Sequence, residues 1–244
     1  MNTLVIIPSR LSASRLPGKP LLKINGLSII SHVFKKAEQA NIGEVIVAAE
    51  DQDIIDDVKR NGGQAILTTS KHKTGTDRIY EALKKLNYSN IDLIMNLQGD
   101  EPLMNIDDIK KLNNQMNIFK SEMGTLASKI LDKNLYDNQN IVKVITEENL
   151  DKNSFPLAKY FMRKISNKIQ NIYHHLGIYC YQTEILKKFV SLQQSSNEIK
   201  NKLEQLRALD NDVNINVALA KSSPIGVDTE EDFVAIKKIM EYKS

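Results

Sequence analysis

Short apolar runs alternate with helical patterns over the first hundred residues. Four runs predict strands, because they are aliphatic and nearly unbroken, as expected of strands buried on both faces: 4–7, 45–49, 65–67 and 93–97. Three segments between them repeat apolar residues at helical spacing, or begin with acidic residues and stop before glycine: 29–39, 51–60 and 77–86. This alternation predicts an α/β fold with a doubly wound, mostly parallel sheet and right-handed crossovers.

The second half of the chain has a more mixed pattern. It predicts strands at 124–130, 141–146, 176–181 and 214–219, a turn at 149–154, and helices at 184–192, 198–209 and 229–240. The chain shows no linker and no internal repeat. We therefore expect a single domain over 1–244, with a larger half (approximately 1–125), a smaller inserted mixed β/α half (approximately 126–220) and a C-terminal segment (221–244).

Composition excludes several classes of protein. The 244 residues are 41% hydrophobic and 26% charged, which is ordinary for a folded globular chain, and a net charge of +3 does not by itself indicate a nucleic-acid partner. No run approaches the about 18 apolar residues that a membrane span needs, so we expect no membrane insertion. Cys180 is the only cysteine, which excludes an intramolecular disulfide and a cysteine zinc site and fits a cytoplasmic location.

A basic loop directly follows the first predicted strand. Arg10, Arg15 and Lys19 place three cations within ten residues, interspersed with small Ser and Ala residues. Ligands of open α/β sheets bind beyond the carboxyl ends of strands, and these side chains are suited to a polyphosphate. The loop matches neither the P-loop nor the dinucleotide-binding glycine pattern. A solvated basic loop without a ligand is the alternative interpretation.

Six segments together carry a resemblance. They read RLSASRLPGKPL (10–21), TGTDR (74–78), NLQGDEP (96–102), HLGIY (175–179) with Tyr181, LEQLR (203–207) and GVDTEED (226–232). In this order they resemble the 3-deoxy-manno-octulosonate cytidylyltransferase (CMP-Kdo synthetase) family. The first and third segments are shared loosely by many nucleotidyltransferases, whereas the HLGIY and LEQLR segments are narrower and indicate Kdo, the eight-carbon sugar acid.

The resemblance implies a fold, a reaction and partners. It implies a Rossmann-like nucleotidyltransferase fold with an inserted arm for the sugar and for dimerisation, in a homodimer. The implied reaction transfers CMP from CTP to the anomeric hydroxyl of Kdo, releases pyrophosphate and supplies lipopolysaccharide synthesis. Two alternatives stay open: a cytidylyltransferase for another sugar acid, such as 8-amino-Kdo or a nonulosonic acid, and a non-catalytic nucleotide-binding protein.

The implied catalytic residues are Lys19, Asp100 and Asp228. Asp100 follows the strand predicted at 93–97, and Asp228 follows a short apolar run at 225–227. The resemblance makes the two aspartates ligands of Mg²⁺, which prefers one or two carboxylates together with phosphate oxygens and water. For Asp228 the alternative is a helix cap, since Thr229 and acidic residues follow it.

The resemblance also implies a set of nucleotide-binding residues: Arg10, Ser14, Arg15, Lys19, Thr74, Gly75, Thr76, Arg78 and Gln98. We expect base selection in the 74–78 loop, where Arg78 can donate to the cytosine O2 or N3. The alternative is that this loop only caps the following helix. Both interpretations hold if Thr76 caps the helix while Arg78 faces the base.

The implied sugar-binding residues are Gln98, Arg163, His175, Tyr179, Glu204 and Gln205. Without the resemblance, His175 is better interpreted as a buried histidine with satisfied hydrogen bonds. The chain departs from the family around 150–175: it has no tryptophan, its segment 164–171 is short and polar, and His174 stands where an arginine is common. These departures keep open a change in sugar preference, for example towards an amino-substituted Kdo.

Overall fold

The computed structural model describes residues 1–12, 15–69, 71–72, 74–165 and 170–242, with the backbone alone at 133 and 134. It separates into two compact units. The first unit comprises Asn2–Ile109 and Pro224–Ser244, and the second comprises Lys110–Ser223 with Met1. The first part of the larger unit therefore ends at Ile109, before the expected boundary near residue 125, and the C-terminal segment belongs to the same unit.

The strands and helices are numbered in chain order. The strands are β1 (Thr3–Ser9), β2 (Lys23–Ile24), β3 (Leu27–Ser28), β4 (Gly43–Ala49), β5 (Ala65–Leu67), β6 (Leu93–Asn96), β7 (Met123–Ser128), β8 (Lys143–Thr146), β9 (Ala158–Met162), β10 (Ile172–Gln182) and β11 (Ile215–Leu219). The α-helices are α1 (Ile29–Ala40), α2 (Gln52–Arg60), α3 (Gly75–Leu86), α4 (Ile106–Phe119), α5 (Thr183–Ser191), α6 (Ser196–Asn201), α7 (Leu206–Leu209) and α8 (Glu230–Glu241). Two 3₁₀ turns lie at Lys19–Leu21 and Lys133–Tyr136.

The first unit contains a parallel sheet with the strand order β6-β1-β4-β5. The central strand β1 is almost wholly buried, and Leu4 to Ile7 are completely inaccessible to solvent. A strand covered on both faces needs apolar residues at successive positions, which is why these runs do not alternate with polar residues. All four strands predicted in this part of the chain are confirmed.

Local signals fix the helices of the first unit. The N-cap of helix α1 is Ser28, whose side chain accepts a hydrogen bond from the N–H of Ser31 (3.2 Å), and its C-cap is Asn41, whose φ is 48°. A capping hydroxyl and a left-handed terminal residue satisfy the groups that a helix end leaves unpaired. The helices predicted at 29–39, 51–60 and 77–86 are confirmed, with ends shifted by one or two residues.

The second unit contains a mixed sheet. Strand β7 pairs in parallel with β11 and antiparallel with β10, while β8 pairs antiparallel with both β10 and β9. The mixed β/α pattern expected for this part of the chain is confirmed. The sequence did not predict α4 or β9.

One predicted helix is wrong. The segment 198–209 is not a continuous helix, because α6 is terminated by the C-cap Lys202, whose φ of 53° lies in the left-handed region. The N–H of Leu203 then bonds to Glu198 O (3.3 Å), which closes the first helix before α7 starts at Leu206. The helix was predicted as continuous because the apolar residues keep their helical spacing across the turn.

No helix within the described ranges combines the length and the apolar character that crossing a bilayer requires.

Candidate active site

A pocket of about 300 Å³ lies at the carboxyl ends of β1 and β6 in the first unit. Nine of the predicted site residues line it: Arg10, Arg15, Lys19, Thr74, Gly75, Arg78, Gln98, Asp100 and Asp228. Thr76 is not among the lining residues, and Ser14 falls outside the described residues. The position beyond the strand ends is the one expected for a ligand of an open α/β sheet.

Lys19 joins the two aspartates at the centre of the pocket. Its Nζ donates to Asp100 Oδ2 (2.6 Å), Val227 O (2.8 Å) and Asp228 Oδ1 (3.2 Å). Arg15 forms an ion pair with Asp228 Oδ2 (2.8 Å). The Lys19 side chain is only 13% exposed, so at this position the interpretation of a merely solvated basic loop fails. The two cations and two carboxylates form a compact charged cluster.

Two glycines shape the turns that carry this cluster. Gly18 adopts a left-handed φ of 73° directly before the 3₁₀ turn of Lys19, and its N–H bonds to Leu11 O (3.0 Å). At Gly99, a Cβ would lie 2.9 Å from Pro8 O and 3.1 Å from Ile30 Cδ1. The turn before Asp100 can therefore pack against the end of β1 only because it carries no side chain there.

An apolar cluster brings the distant Asp228 to the pocket. Ile24, Ile29, Val227 and Ile236 pack together and are completely buried. The C-terminal segment is thus anchored on the residues that follow the basic loop, and Asp228 is adjacent to that anchor. Burial of these four side chains contributes the free energy that keeps the loop of Asp228 packed against the residues that follow the basic loop.

The helix-cap interpretation of Asp228 is wrong. Thr229 caps α8: its side chain accepts from the N–H of Asp232 (3.2 Å), while the Asp232 carboxylate accepts from the N–H of Thr229 (2.9 Å). This capping box satisfies the start of the helix without the Asp228 side chain. The Asp228 carboxylate is directed to Lys19 and Arg15 instead.

Glu101 is a half-buried acid beside the two aspartates. Desolvation, and to a smaller extent the charges of Asp100 and Asp228, raises the pKa of Glu101 to about 8. Its Oε2 has no hydrogen-bond partner among the described residues. The described residues contain no cluster of three or more His, Cys, Asp or Glu side chains arranged to hold a metal ion, so the oxygen ligands that this part of the pocket offers are the two carboxylates of Asp100 and Asp228.

The start of α3 is capped by Thr74 and not by Thr76. The Thr74 hydroxyl accepts from the N–H of Asp77 (3.2 Å) and donates to the Asp77 carboxylate (2.9 Å). Thr76 is buried inside the first turn of the helix. The expectation of a Thr76 cap is wrong because the helix begins two residues earlier than the apolar periodicity indicates.

Arg78 lines the pocket, and its guanidinium also binds the protein. It forms an ion pair with Glu50 and donates to Thr68 Oγ1 (2.6 Å) and Thr69 O (3.2 Å). The side chain is 3% exposed. These contacts fix the plane of the guanidinium, as a residue that recognises a flat base requires. Base reading by Arg78 stays a prediction.

His72 also lines the pocket, and Glu81 orients it. The His72 ring binds the Glu81 carboxylate, which also accepts from Lys85 and from the N–H of Thr69 (3.1 Å). Burial raises the pKa of Glu81, but the hydrogen bonds from Lys85, His72 and Thr69 outweigh it and lower the pKa to about 2. Glu81 is therefore ionised at neutral pH, and it contacts the pocket-lining His72 from the protein side.

In the second unit, His175 and Tyr179 lie side by side on β10. Their ring centroids are 5.4 Å apart, although the register to β7 shifts between Leu176 and Tyr179. Burial, and to a smaller extent His174, lowers the pKa of His175 to about 3, so its ring is neutral. Its Nε2 lies 3.1 Å from Thr125 Oγ1, and the ring packs edge-on against Phe161. This geometry matches the interpretation of a buried histidine with satisfied hydrogen bonds.

Arg163 holds three backbone carbonyl oxygens. Its guanidinium donates to Asn201 O (3.3 Å), Gln139 O (3.2 Å) and Lys202 O (3.2 Å). Arg163 thereby ties the loop before β8 to the turn after α6. Contact with a sugar carboxylate stays a prediction for this residue.

Glu204 and Gln205 lie between α6 and α7 beside a buried ion pair. Arg207 forms two bonds with Glu198 (2.6 and 2.8 Å), and both side chains are 4% exposed. The same guanidinium lies 3.9 Å from Glu204 Oε1. Burial raises the pKa of Tyr179 well above its usual value, and the charge of Glu204 contributes, so these predicted sugar residues influence one another.

Comparison with known proteins identifies the family. The sequence model described as cytidylyltransferase matches residues 4–215. A 3-deoxy-manno-octulosonate cytidylyltransferase of Afipia carboxidovorans is 41% identical over 241 residues, which cover 98% of this chain and 97% of the relative. One of Thermodesulfovibrio yellowstonii is 39% identical over 251 residues, which cover 98% of each chain. The chain belongs to the 3-deoxy-manno-octulosonate cytidylyltransferase family.

Solved structures agree with this family membership. A CMP:2-keto-3-deoxy-manno-octonic acid synthetase complexed with CTP superposes with a TM-score of 0.90 at 32% identity, over the full length of both chains. A 4-diphosphocytidyl-2C-methyl-D-erythritol synthase from Anaerococcus prevotii has a TM-score of 0.65 at 15% identity over 98% of each chain, which shows the fold alone. The expected nucleotidyltransferase fold is confirmed.

Three residues around the pocket of this cytidylyltransferase were missed from the sequence. Ser9 and His72 line it, and Glu101 lies half-buried next to the first of its two aspartates. The adjacent acids at 100 and 101 were a visible signal for Glu101. His72 stands in a polar segment without periodicity, and Ser9 looks like the polar end of an apolar strand, so neither carried a signal of its own.

Proposed function

We propose that the chain transfers CMP from CTP to the anomeric hydroxyl of Kdo, giving CMP-Kdo and pyrophosphate. The observation that carries the proposal is the convergence of Lys19, Asp100 and Asp228 in one pocket of a member of this family. Those three residues come from the beginning, the middle and the end of the chain. A fold that retained only nucleotide binding would not require two carboxylates beside the phosphate-binding cations.

The pocket supports a displacement at the α-phosphorus of CTP. The sugar hydroxyl oxygen forms the new bond to phosphorus, its proton is lost, and the bond to the departing pyrophosphate breaks. Such transfers need little covalent help, so positioning and charge neutralisation supply most of the rate enhancement. Arg10, Arg15 and Lys19 would hold the phosphates and stabilise the negative charge of the leaving group.

Asp100 and Asp228 would hold Mg²⁺ in this reaction. Both carboxylates line the pocket and contact Lys19, and carboxylate oxygens are the ligands that a hard, oxygen-preferring cation takes. When bound, the metal would neutralise phosphate charge and lower the pKa of the attacking hydroxyl. With the metal bound, the reaction would require no side chain as a general base for the sugar hydroxyl. The part played by the protein itself would be to hold the two aspartates in place.

We propose that a further set of residues binds the sugar acid: Gln98, Arg163, His175, Tyr179, Glu204 and Gln205. Tyr179 Oη is buried and has no hydrogen-bond partner within the described residues, which supports a contact between this hydroxyl and a polar ligand atom. Because the segment around 150–175 departs from the family, 8-amino-Kdo and a nonulosonic acid remain the alternative acceptors.

We further propose a homodimer in the cytoplasm that supplies activated Kdo for lipopolysaccharide synthesis. The support is family resemblance, together with a single, fully buried cysteine whose thiol needs no oxidising compartment. Sedimentation velocity of the purified chain tests the dimer. A single species at the monomer mass over micromolar concentrations would reject it.

Pyrophosphate release tests the proposed function. The purified chain is incubated with CTP and Mg²⁺ and with Kdo, 8-amino-Kdo, a nonulosonic acid or no acceptor. We expect release that depends on Kdo and is fastest with it. Faster release with 8-amino-Kdo or the nonulosonic acid would shift the assignment to that acceptor. If none of the acceptors in the panel triggers pyrophosphate release, while CTP still binds, the result would favour the non-catalytic alternative.

A further inference from the structure

Ser9 is an unpaired hydroxyl in the wall of the pocket. It is the last residue of β1, it is 7% exposed, and it lines the pocket. Its Oγ has no hydrogen-bond partner among the residues that the structure describes. A buried hydroxyl without a partner lowers the stability of the folded state, so such groups call for an explanation.

The surroundings of Ser9 indicate which part of a nucleotide it faces. The charged cluster of Arg15, Lys19, Asp100 and Asp228 accounts for the phosphate-binding part of the pocket. The residue before Ser9 is different in character: the ring of Pro8 lies close to Gly75, where an added Cβ would be 3.3 Å from Pro8 Cγ. Pro8 and Gly75 carry no charge and leave little room between them, so this stretch of the wall suits the nucleoside, whose base and ribose are flat or compact and carry no charge.

A hydroxyl is suited to that role because it both donates and accepts hydrogen bonds. Cytosine and ribose present donors and acceptors alike, so one Ser side chain can satisfy either. The unpaired state of Oγ in the protein means that a nucleoside contact would replace no existing bond within the described residues. Binding would then gain a hydrogen bond without losing one inside the protein.

We propose that Ser9 Oγ hydrogen-bonds the nucleoside part of CTP and is a further binding residue of this site. The proposal rests on the proposed CTP site. Ser128 offers a matched comparison in the second unit: it too is the last residue of a strand, it is 5% exposed, and its Oγ likewise has no partner among the described residues. Ser128 is not among the residues that line the pocket.

Titration calorimetry with CTP and with CMP tests the proposal on the wild type, Ser9→Ala and Ser128→Ala. Ser9→Ala is expected to weaken both nucleotides about five-fold, the value of one ordinary hydrogen bond. Its melting temperature without nucleotide is expected to equal or exceed that of the wild type, because the substitution removes an unpaired buried group. Ser128→Ala is expected to bind both nucleotides as the wild type does.

Three results would overturn the proposal. Unchanged affinity of Ser9→Ala for both nucleotides would remove Ser9 from the site. Weaker binding of CTP with unchanged binding of CMP would place the contact on the outer phosphates. A clear fall in the melting temperature of Ser9→Ala would show that Oγ already has a partner in the protein. If the wild type binds neither CTP nor CMP, the proposed CTP site itself fails.

Discussion

At the scale of single residues, the chemistry of the pocket depends on where a few charges are held. Lys19 contacts both aspartates, whereas Arg15 contacts only Asp228. The sequence placed these residues near strand ends but did not show that Lys19 and Arg15 are ion-paired with the predicted metal ligands. Side-chain pairing across about 200 residues of chain depends on tertiary packing, which local patterns do not encode.

Asp228→Asn tests the role assigned to that carboxylate. The substitution preserves size and removes the charge, so we expect turnover to fall by about two orders of magnitude or more. CTP binding should stay largely intact, because Arg10, Arg15 and Lys19 remain. Steady-state pyrophosphate release and equilibrium CTP binding measure the two effects. Asp92→Asn, which changes a carboxylate that binds the N–H of Asn2 (2.7 Å), is the control.

Unchanged turnover in Asp228→Asn would remove Asp228 from the metal site. An equal fall in the Asp92→Asn control would point to general damage from the loss of a carboxylate.

His175 predicts a pH dependence of stability. Its pKa is lowered from 6.5 to about 3 by burial, so between these values the unfolded chain carries a proton that the folded chain excludes. Protonation therefore favours unfolding as the pH falls below 6.5, by about 1.4 kcal/mol per pH unit for one group. We expect His175→Gln to lose this part of the slope between pH 6.5 and 4.5. Urea unfolding of both proteins across that range gives the comparison, and parallel slopes would contradict a neutral, buried His175.

At the scale of elements, strands and helices with strong local signals were predictable, and those determined by packing were not. The strand 65–67 was predicted with its observed bounds, because an apolar run of three stands between polar residues. Helix α4 was missed because Asn113 and its neighbours interrupt the apolar pattern that its buried face requires. The break at Lys202 was missed because a lysine gives no sequence signal for a left-handed conformation.

The Glu198–Arg207 pair determines how α6 and α7 are joined. Glu198 also closes the capping box of α6, accepting from the N–H of Ser195 (3.3 Å), and Arg207 lies over the ring of Phe189 (4.8 Å). The pair thus holds the turn that carries Glu204 and Gln205. Removing one partner would leave an uncompensated charge in a buried place.

Arg207→Met is therefore expected to cost about 3–5 kcal/mol of unfolding free energy, measured by urea denaturation. Glu198→Gln combined with Arg207→Met should recover much of this loss, since the buried carboxylate of Glu198 is no longer left without its cation and glutamine can still cap α6. The exposed pair of Glu184 and Lys187, 3.8 Å apart, is the control, and Lys187→Met should cost at most about 1 kcal/mol. A double variant no more stable than Arg207→Met alone would contradict the pair as the cause.

At the scale of the whole molecule, the family, the fold class and the position of the pocket were predictable from six sequence segments. The segments at 10–21 and 96–102 include turns beside strand ends, where local geometry requires glycine, as Gly18 and Gly99 illustrate. The positions of Ser9 and His72 in the pocket wall were not predictable, because they depend on how distant segments pack together. The predicted roles of the sugar-binding residues stay predictions.

A crystal structure with CTP and Mn²⁺ tests the central claim most directly. Manganese replaces magnesium at oxygen sites and is located by its anomalous scattering. The account predicts a manganese peak on Asp100 and Asp228, with the triphosphate against Arg10, Arg15 and Lys19. A metal bound to other residues, or a triphosphate outside this pocket, would contradict it.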